Sequence, residues 1–125
     1  MPKQILIVED DVDLAKILQA ILEKNGYKVR VALDGSEALD IIMKELIDCI
    51  VLDLKLTWVE GDIVIRLVKA YEKTKQIPII VLTGLSPEEV AKYQLDGVAT
   101  ILHKPMESRV LLEKIKEAFL KQAAA

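Results

Sequence analysis

The chain has 125 residues, 52% of them apolar, and its 17 basic and 20 acidic side chains leave a formal charge of −3. That length suits one domain, residues 1–125, with a hydrophobic core of its own, and the charge offers no broad basic surface, which argues against direct binding of nucleic acid. No apolar run approaches the roughly 20 residues of a spanning helix and no charged segment precedes a long apolar one at the N-terminus, so a soluble cytoplasmic protein without membrane contact is expected.

The first apolar run, Ile5 to Val8, leads straight into Glu9, Asp10 and Asp11. A short continuous run of this kind reads as a strand covered on both faces. The acids at its end repel one another and call for a positive partner. Leu14, Ile17, Leu18 and Ile21 are then spaced for one helix face, with Asp11 or Asp13 as cap and Asn25-Gly26 as stop. Tyr27 to Ala32 forms the second strand, and Leu39, Ile42 and Leu46 repeat the helical spacing after Asp34-Gly35-Ser36.

Cys49 to Leu52 is the third strand. Its Cys49 is the only cysteine, so it has no internal disulfide partner and reads as a small core residue. Val64, Leu67, Val68 and Tyr71 mark a third helix, and Ile77 to Leu82 a fourth strand. Ser86-Pro87-Glu88-Glu89 opens the fourth helix with a capping box and a proline at the first helical position; Gly97 would end it. Val98 to Leu102 is the fifth strand, and a fifth helix runs from about Ser108 to Lys121 with Leu111, Ile115 and Phe119 inward. The low-complexity residues Ala123 to Ala125 read as a frayed helix end or an artificial boundary.

Strand and helix alternate five times, so each strand returns through a helical crossover and the sheet is parallel. The class is α/β, doubly wound, with helices on both faces of the sheet. Ligands of such sheets sit at the carboxyl ends of the strands. Glu9 and Asp10 stand there after the first strand, Asp53 after the third, Thr83 after the fourth and Lys104 after the fifth. Each alone is an ordinary turn former, cap or solvated lysine; five at one edge favour a site. Carboxylates without histidine suit a hard cation such as Mg²⁺. A carboxylate is also a nucleophile toward phosphorus, and a hydroxyl and an ammonium can neutralise the phosphoryl oxygens.

The motifs ILIVEDD, IVLDLKL with Gly61 eight residues past the aspartate, IIVLTG and HKP resemble, in order and spacing, those of the receiver domains of two-component response regulators, including the chemotaxis receivers. The resemblance covers essentially the whole chain. It implies a flavodoxin-like three-layer (βα)5 sandwich with sheet order 2-1-3-4-5. Asp53 would be the phospho-acceptor, and Thr83 and Lys104 would contact the phosphoryl oxygens. Mg²⁺, with Mn²⁺ as a substitute, would be held by the side chains of Asp10 and Asp53 and the backbone carbonyl of Lys55, with Glu9 acting mostly through a metal-bound water. The bond before Pro105 would be cis. The implied donor is a sensor histidine kinase or a histidine phosphotransfer protein, and the implied output is binding of a downstream effector domain or protein through the face of the fourth helix, fifth strand and fifth helix. Such a domain catalyses its own phosphorylation and dephosphorylation but is not otherwise an enzyme, and it acts as a monomer or a phosphorylation-dependent dimer.

Four positions depart from that pattern. Ile101 stands where the family usually has a switching aromatic, and a β-branched side chain has few χ1 choices; an aromatic rotamer change is therefore not expected to carry the output. Gly84 after Thr83 leaves the site more open, which predicts a short-lived phosphoryl group. Thr57 replaces a frequent proline and removes a φ restraint. Met106 replaces a frequent phenylalanine and is expected to pack. Trp58, the only tryptophan, reads as a loop residue near the site, and His103 as a surface residue facing away from Lys104.

Three other readings compete. A pseudo-receiver would bind partners without turning over phosphate, but the set Glu9, Asp10, Asp53, Thr83 and Lys104 is complete. An aspartyl-phosphate phosphatase of the haloacid-dehalogenase type needs an acid where Lys55 stands. A flavodoxin-like cofactor binder needs a phosphate loop where this chain has EDDVD.

Overall fold

The alternation of apolar runs and helical stripes appears in the computed structural model, which describes residues 2–124, as five strands and five helices. The strands are β1 (Gln4–Val8), β2 (Lys28–Ala32), β3 (Cys49–Leu52), β4 (Ile79–Thr83) and β5 (Thr100–His103). The helices are α1 (Val12–Lys24), α2 (Gly35–Lys44), α3 (Gly61–Ala70), α4 (Pro87–Val90) and α5 (Ser108–Ala124). All pairings are parallel and the order is β2-β1-β3-β4-β5, the flavodoxin-like arrangement. Among the described residues no helix is long and apolar enough to cross a membrane.

Two cores explain why the central strands are apolar throughout. Leu6, Val8, Ile50, Leu52, Ile79 and Val81 face α2 and α3, where Ile41, Ile42, Val64, Ile65 and Val68 meet them. Ile5, Ile7, Cys49, Val51, Ile80 and Leu82 face α1 and α5, and pack on Leu18, Leu22, Leu111 and Ile115. The Cys49 thiol is fully buried, and burial pushes its pKa up to about 12, so it stays protonated and inert. The outer strands β2 and β5 instead alternate in exposure, because an edge strand is only partly covered.

Several expected positions shift. Ile17 is 56% exposed, since α1 turns Ala15, Leu18 and Leu22 to the sheet. Leu46 lies beyond the end of α2 and is 92% exposed, and Tyr71 follows α3 rather than closing its stripe. The largest difference is α4. Ser86 caps it as the sequence predicts: its Oγ accepts from the Glu89 N–H at 3.2 Å, while Glu89 Oε1 accepts from the Ser86 N–H at 3.0 Å. Yet the helix stops after one turn at Val90. Leu95 falls off the helical spacing of Val90 and Tyr93, and Gly97 adopts φ 85°, so residues 91–99 pack on the core through turns. Ala123 and Ala124 belong to α5; Ala125 lies outside the described residues.

The loop leaving β3 is fixed by two close approaches. A Cβ on Gly61 would stand 2.3 Å from the Asp53 carbonyl oxygen, and one on Gly35 would stand 1.9 Å from that of Val59. The Gly61 N–H donates to the Leu54 carbonyl at 2.9 Å, which holds the start of α3 against the segment carrying Asp53. Gly84, by contrast, has open space where a Cβ would go. Gly61→Ala should therefore lower stability by about 2 kcal/mol, in the range of overpacked sites, whereas Gly84→Ala should stay within about 0.5 kcal/mol of the parent. Urea unfolding of the two variants checks this; equal midpoints would contradict the packing described.

Candidate functional site

Parallel register brings the strand ends to one edge, and backbone hydrogen bonds hold the residue just past each strand. The Glu9 N–H donates to the Ala32 carbonyl at 3.0 Å, that of Asp53 to Val8 at 3.1 Å, and that of Lys104 to Thr83 at 2.8 Å. Each chemically active side chain thus leaves the sheet from a fixed backbone position. The Lys104–Pro105 bond is cis.

At the centre is one ammonium between two buried carboxylates. Lys104 Nζ donates to Glu9 Oε1 at 2.7 Å and to Asp53 Oδ2 at 2.9 Å. Glu9 and Asp53 are 3% and 7% exposed and Thr83 is fully buried, so these groups are shielded from water. Glu9 Oε2 also accepts from the Asp11 N–H at 3.2 Å. Burial pushes the Glu9 carboxyl above its ordinary pKa, and the negative charge of Asp53 adds to this against the pull of Lys104. Burial opposes the Lys104 charge, but its hydrogen bonds to Glu9 and Asp53 prevail and raise its pKa.

Asp10 stands outside the ion pair and is exposed, yet one oxygen from each of Glu9, Asp10 and Asp53 lies within 4.8 Å of the others. An all-oxygen set with one exposed member and net negative charge fits a hard divalent cation that keeps waters. Lys55 shares the loop: its N–H approaches Asp53 Oδ1 at 3.4 Å, and its Nζ lies 3.9 Å from Glu60. Thr83 Oγ1 accepts from the Leu85 N–H at 3.2 Å. Asp11 caps α1, accepting from the Leu14 N–H at 3.1 Å, and so belongs to the helix start.

Trp58 is 86% exposed at φ 66°, in a tight turn closed by the Val59 N–H and the Thr57 carbonyl at 2.8 Å. Met106 packs against the α1-side core. His103 faces away from Lys104, as strand geometry requires. Its Nδ1 meets the Leu85 carbonyl at 3.0 Å, a contact across 18 residues that no local motif announces.

The family description for the response regulator receiver domain matches residues 5–116. The transcriptional regulatory protein GlrR of Escherichia coli is 33% identical over 99% of this chain and 28% of its own length. The CAI-1 autoinducer sensor kinase/phosphatase CqsS of Vibrio cholerae is 36% identical over 90% of this chain and 17% of its own length. The chain therefore spans less than a third of these curated relatives. Among solved structures, a CheY-like response regulator receiver domain protein from Methanospirillum hungatei superposes with a TM-score of 0.89 at 34% identity, covering 99% of this chain and 98% of that one. The chemotaxis response regulator CheY4 of Vibrio cholerae gives 0.86 at 28% identity, over 94% and 99% of the two chains.

Because the folded protein holds the Glu9 proton above the ordinary value of 4.5, stability from this group is complete below that pH and is lost as pH rises through the folded value. Glu9→Gln should remove the loss. In metal-free buffer its urea midpoint should exceed that of the parent at pH 7, and the gap should close on acidification to about pH 4. A parent that is the more stable at pH 7 would show that Lys104 fully compensates both acids.

Proposed function

Because the chain belongs to the response regulator receiver domain family, we propose that it accepts a phosphoryl group on Asp53 and thereby switches the binding of a partner. The observation that carries this reading is the Lys104 ammonium set against Asp53 and Glu9 at the carboxyl edge of the sheet. An Asp53 carboxylate oxygen attacks phosphorus, the P–N bond of a phosphohistidine breaks, and its electron pair returns to the imidazole of a sensor histidine kinase or histidine phosphotransfer protein. Lys104 and the Thr83 hydroxyl contact the phosphoryl oxygens. Reversal of the signal is attack by water on the same phosphorus, with Asp53 as leaving group.

Glu9, Asp10, Asp53 and the backbone carbonyl of Lys55 would hold Mg²⁺, with Mn²⁺ as a substitute; the ion supplies charge neutralisation of the transferring group. The site gathers three carboxylates against one ammonium, so the residues themselves favour a cation. Apart from its own phosphorylation and dephosphorylation the domain has no enzymatic role in this reading. Its output is engagement of an effector domain or protein through the face formed by α4, β5 and α5, as a monomer or phosphorylation-dependent dimer, in the cytoplasm and without direct contact to nucleic acid or membrane.

Incubation with Mg²⁺ and a small acyl phosphate should add the mass of one phosphoryl group to the intact protein, and Asp53→Asn should add none. An unmodified parent would leave the fold as an interaction module without phosphoryl turnover. Gly84→Ala, which fits without steric conflict, narrows the approach for water beside Thr83 and should lengthen the phosphoryl lifetime severalfold; an unchanged decay rate would count against that role for Gly84. Millimolar Mg²⁺ should raise the melting temperature, and Asp53→Asn should reduce the gain.

A further inference from the structure

Thr83 is connected to the outside of the sheet by two hydrogen bonds in series. Its Oγ1 accepts from the Leu85 N–H at 3.2 Å, and the Leu85 carbonyl is met by His103 Nδ1 at 3.0 Å. A carbonyl only accepts, so Nδ1 carries the proton. His103 and Lys104, consecutive residues, therefore grip the same turn from opposite sides. Lys104 reaches the acids and donates its N–H to the Thr83 carbonyl at 2.8 Å, while the imidazole holds Leu85 from the exposed face of β5. Gly84, between them, puts no side chain in the way of a shift.

Ile101 shares the outer face of β5 with His103 and is 39% exposed, but it has no polar atom with which to hold the turn. We infer that His103 is a positioning residue for the switch, holding the Leu85 carbonyl in the unphosphorylated state and releasing it when Thr83 engages a phosphoryl oxygen. This rests on Asp53 being the phospho-acceptor. The Leu85 peptides are pulled two ways, the N–H toward Thr83 and the carbonyl toward His103. A hydroxyl drawn to a charged phosphoryl oxygen makes the stronger bond and takes the N–H with it. The exposed imidazole bond is the weaker and yields. Binding at the site and at the edge are then reciprocally linked.

His103 is the chain's one histidine, so the imidazole ¹⁵N spectrum reads it alone. The free protein should show the Nδ1–H tautomer, and beryllofluoride with Mg²⁺ should shift the ring signals as the bond opens, with adduct formation followed separately by ¹⁹F NMR. His103→Leu, which lacks the tie, should bind beryllofluoride about three- to tenfold more tightly, the value of one ordinary hydrogen bond. His103→Asn, whose side-chain amide can donate near the place of Nδ1, should bind like the parent. An Nε2–H tautomer in the free protein, unmoved ring signals in a formed adduct, or unchanged or weaker binding by His103→Leu would each overturn the assignment of His103 and leave the phospho-acceptor reading intact. Absence of any adduct would overturn both.

Discussion

The contact on which the site depends is the Lys104 ammonium lying between Glu9 and Asp53. Two carboxylates that are almost wholly buried would otherwise repel across a region from which water is largely excluded, where charges act more strongly than at the surface. One cation cannot neutralise them both together with Asp10. Burial, opposed by the hydrogen bonds from Lys104 and the Asp11 N–H, holds the Glu9 carboxyl above its ordinary pKa, and the charge of Asp53 adds a smaller push in the same direction. A buried ion pair of this kind adds little net stability. What it provides is a defined charge at a defined place, maintained by the packing beneath it.

That packing is the parallel sheet. The registers that set Val8 beside Ala32 and Leu52 put Glu9 level with Asp53. Those that set Leu52 beside Val81 and Leu82 beside Leu102 put Lys104 two residues beyond that level, from where its ammonium reaches both acids. A slip of one residue in a central strand would exchange the side chains packed in its two cores and move its polar terminus out of line. The large apolar cores on both faces make such a slip costly. Gly61 then allows α3 to begin against the Asp53 backbone, where any side chain would collide with the carbonyl oxygen. The energy that fixes the charges is thus mostly apolar, and it is located several ångströms below them.

The same division explains what was legible in the sequence. The two-faced burial of β1, β3 and β4 follows from periodicity, and the gathering of acids, hydroxyl and lysine at one edge from the rule for open parallel sheets, whereas the strand order was legible only through the family resemblance. The capping box at Ser86 was readable because it is local. The length of α4 was not, since a good start says nothing about how far a helix runs once Leu95 and Gly97 break its spacing. The exposure of Ile17 and Leu46 also escaped, because apolar spacing fixes a stripe only to within a residue or so of helical phase. Neither the Lys104 ion pair nor the contact of His103 with Leu85 has a local signature. Both join residues far apart in the chain.

The brevity of α4 bears on how the site communicates. Residues 91–99 lie over the α3-side core through Tyr93, Leu95 and Val98, all only partly buried, and a segment with few fully buried contacts opens at lower free energy than the central strands. Thr83, fully buried at the end of β4, is rigid below, whereas Gly84 and Leu85 just above it join this lightly packed region. In the phospho-acceptor reading, a change at Asp53 would meet a stiff sheet on one side and a more lightly packed connection on the other. With Ile101 half exposed and limited in rotamers, the movable part there is the backbone of the turn itself. The geometry at the carboxyl edge thus leads outward along the segment joining β4 to α4, next to the exposed side of β5.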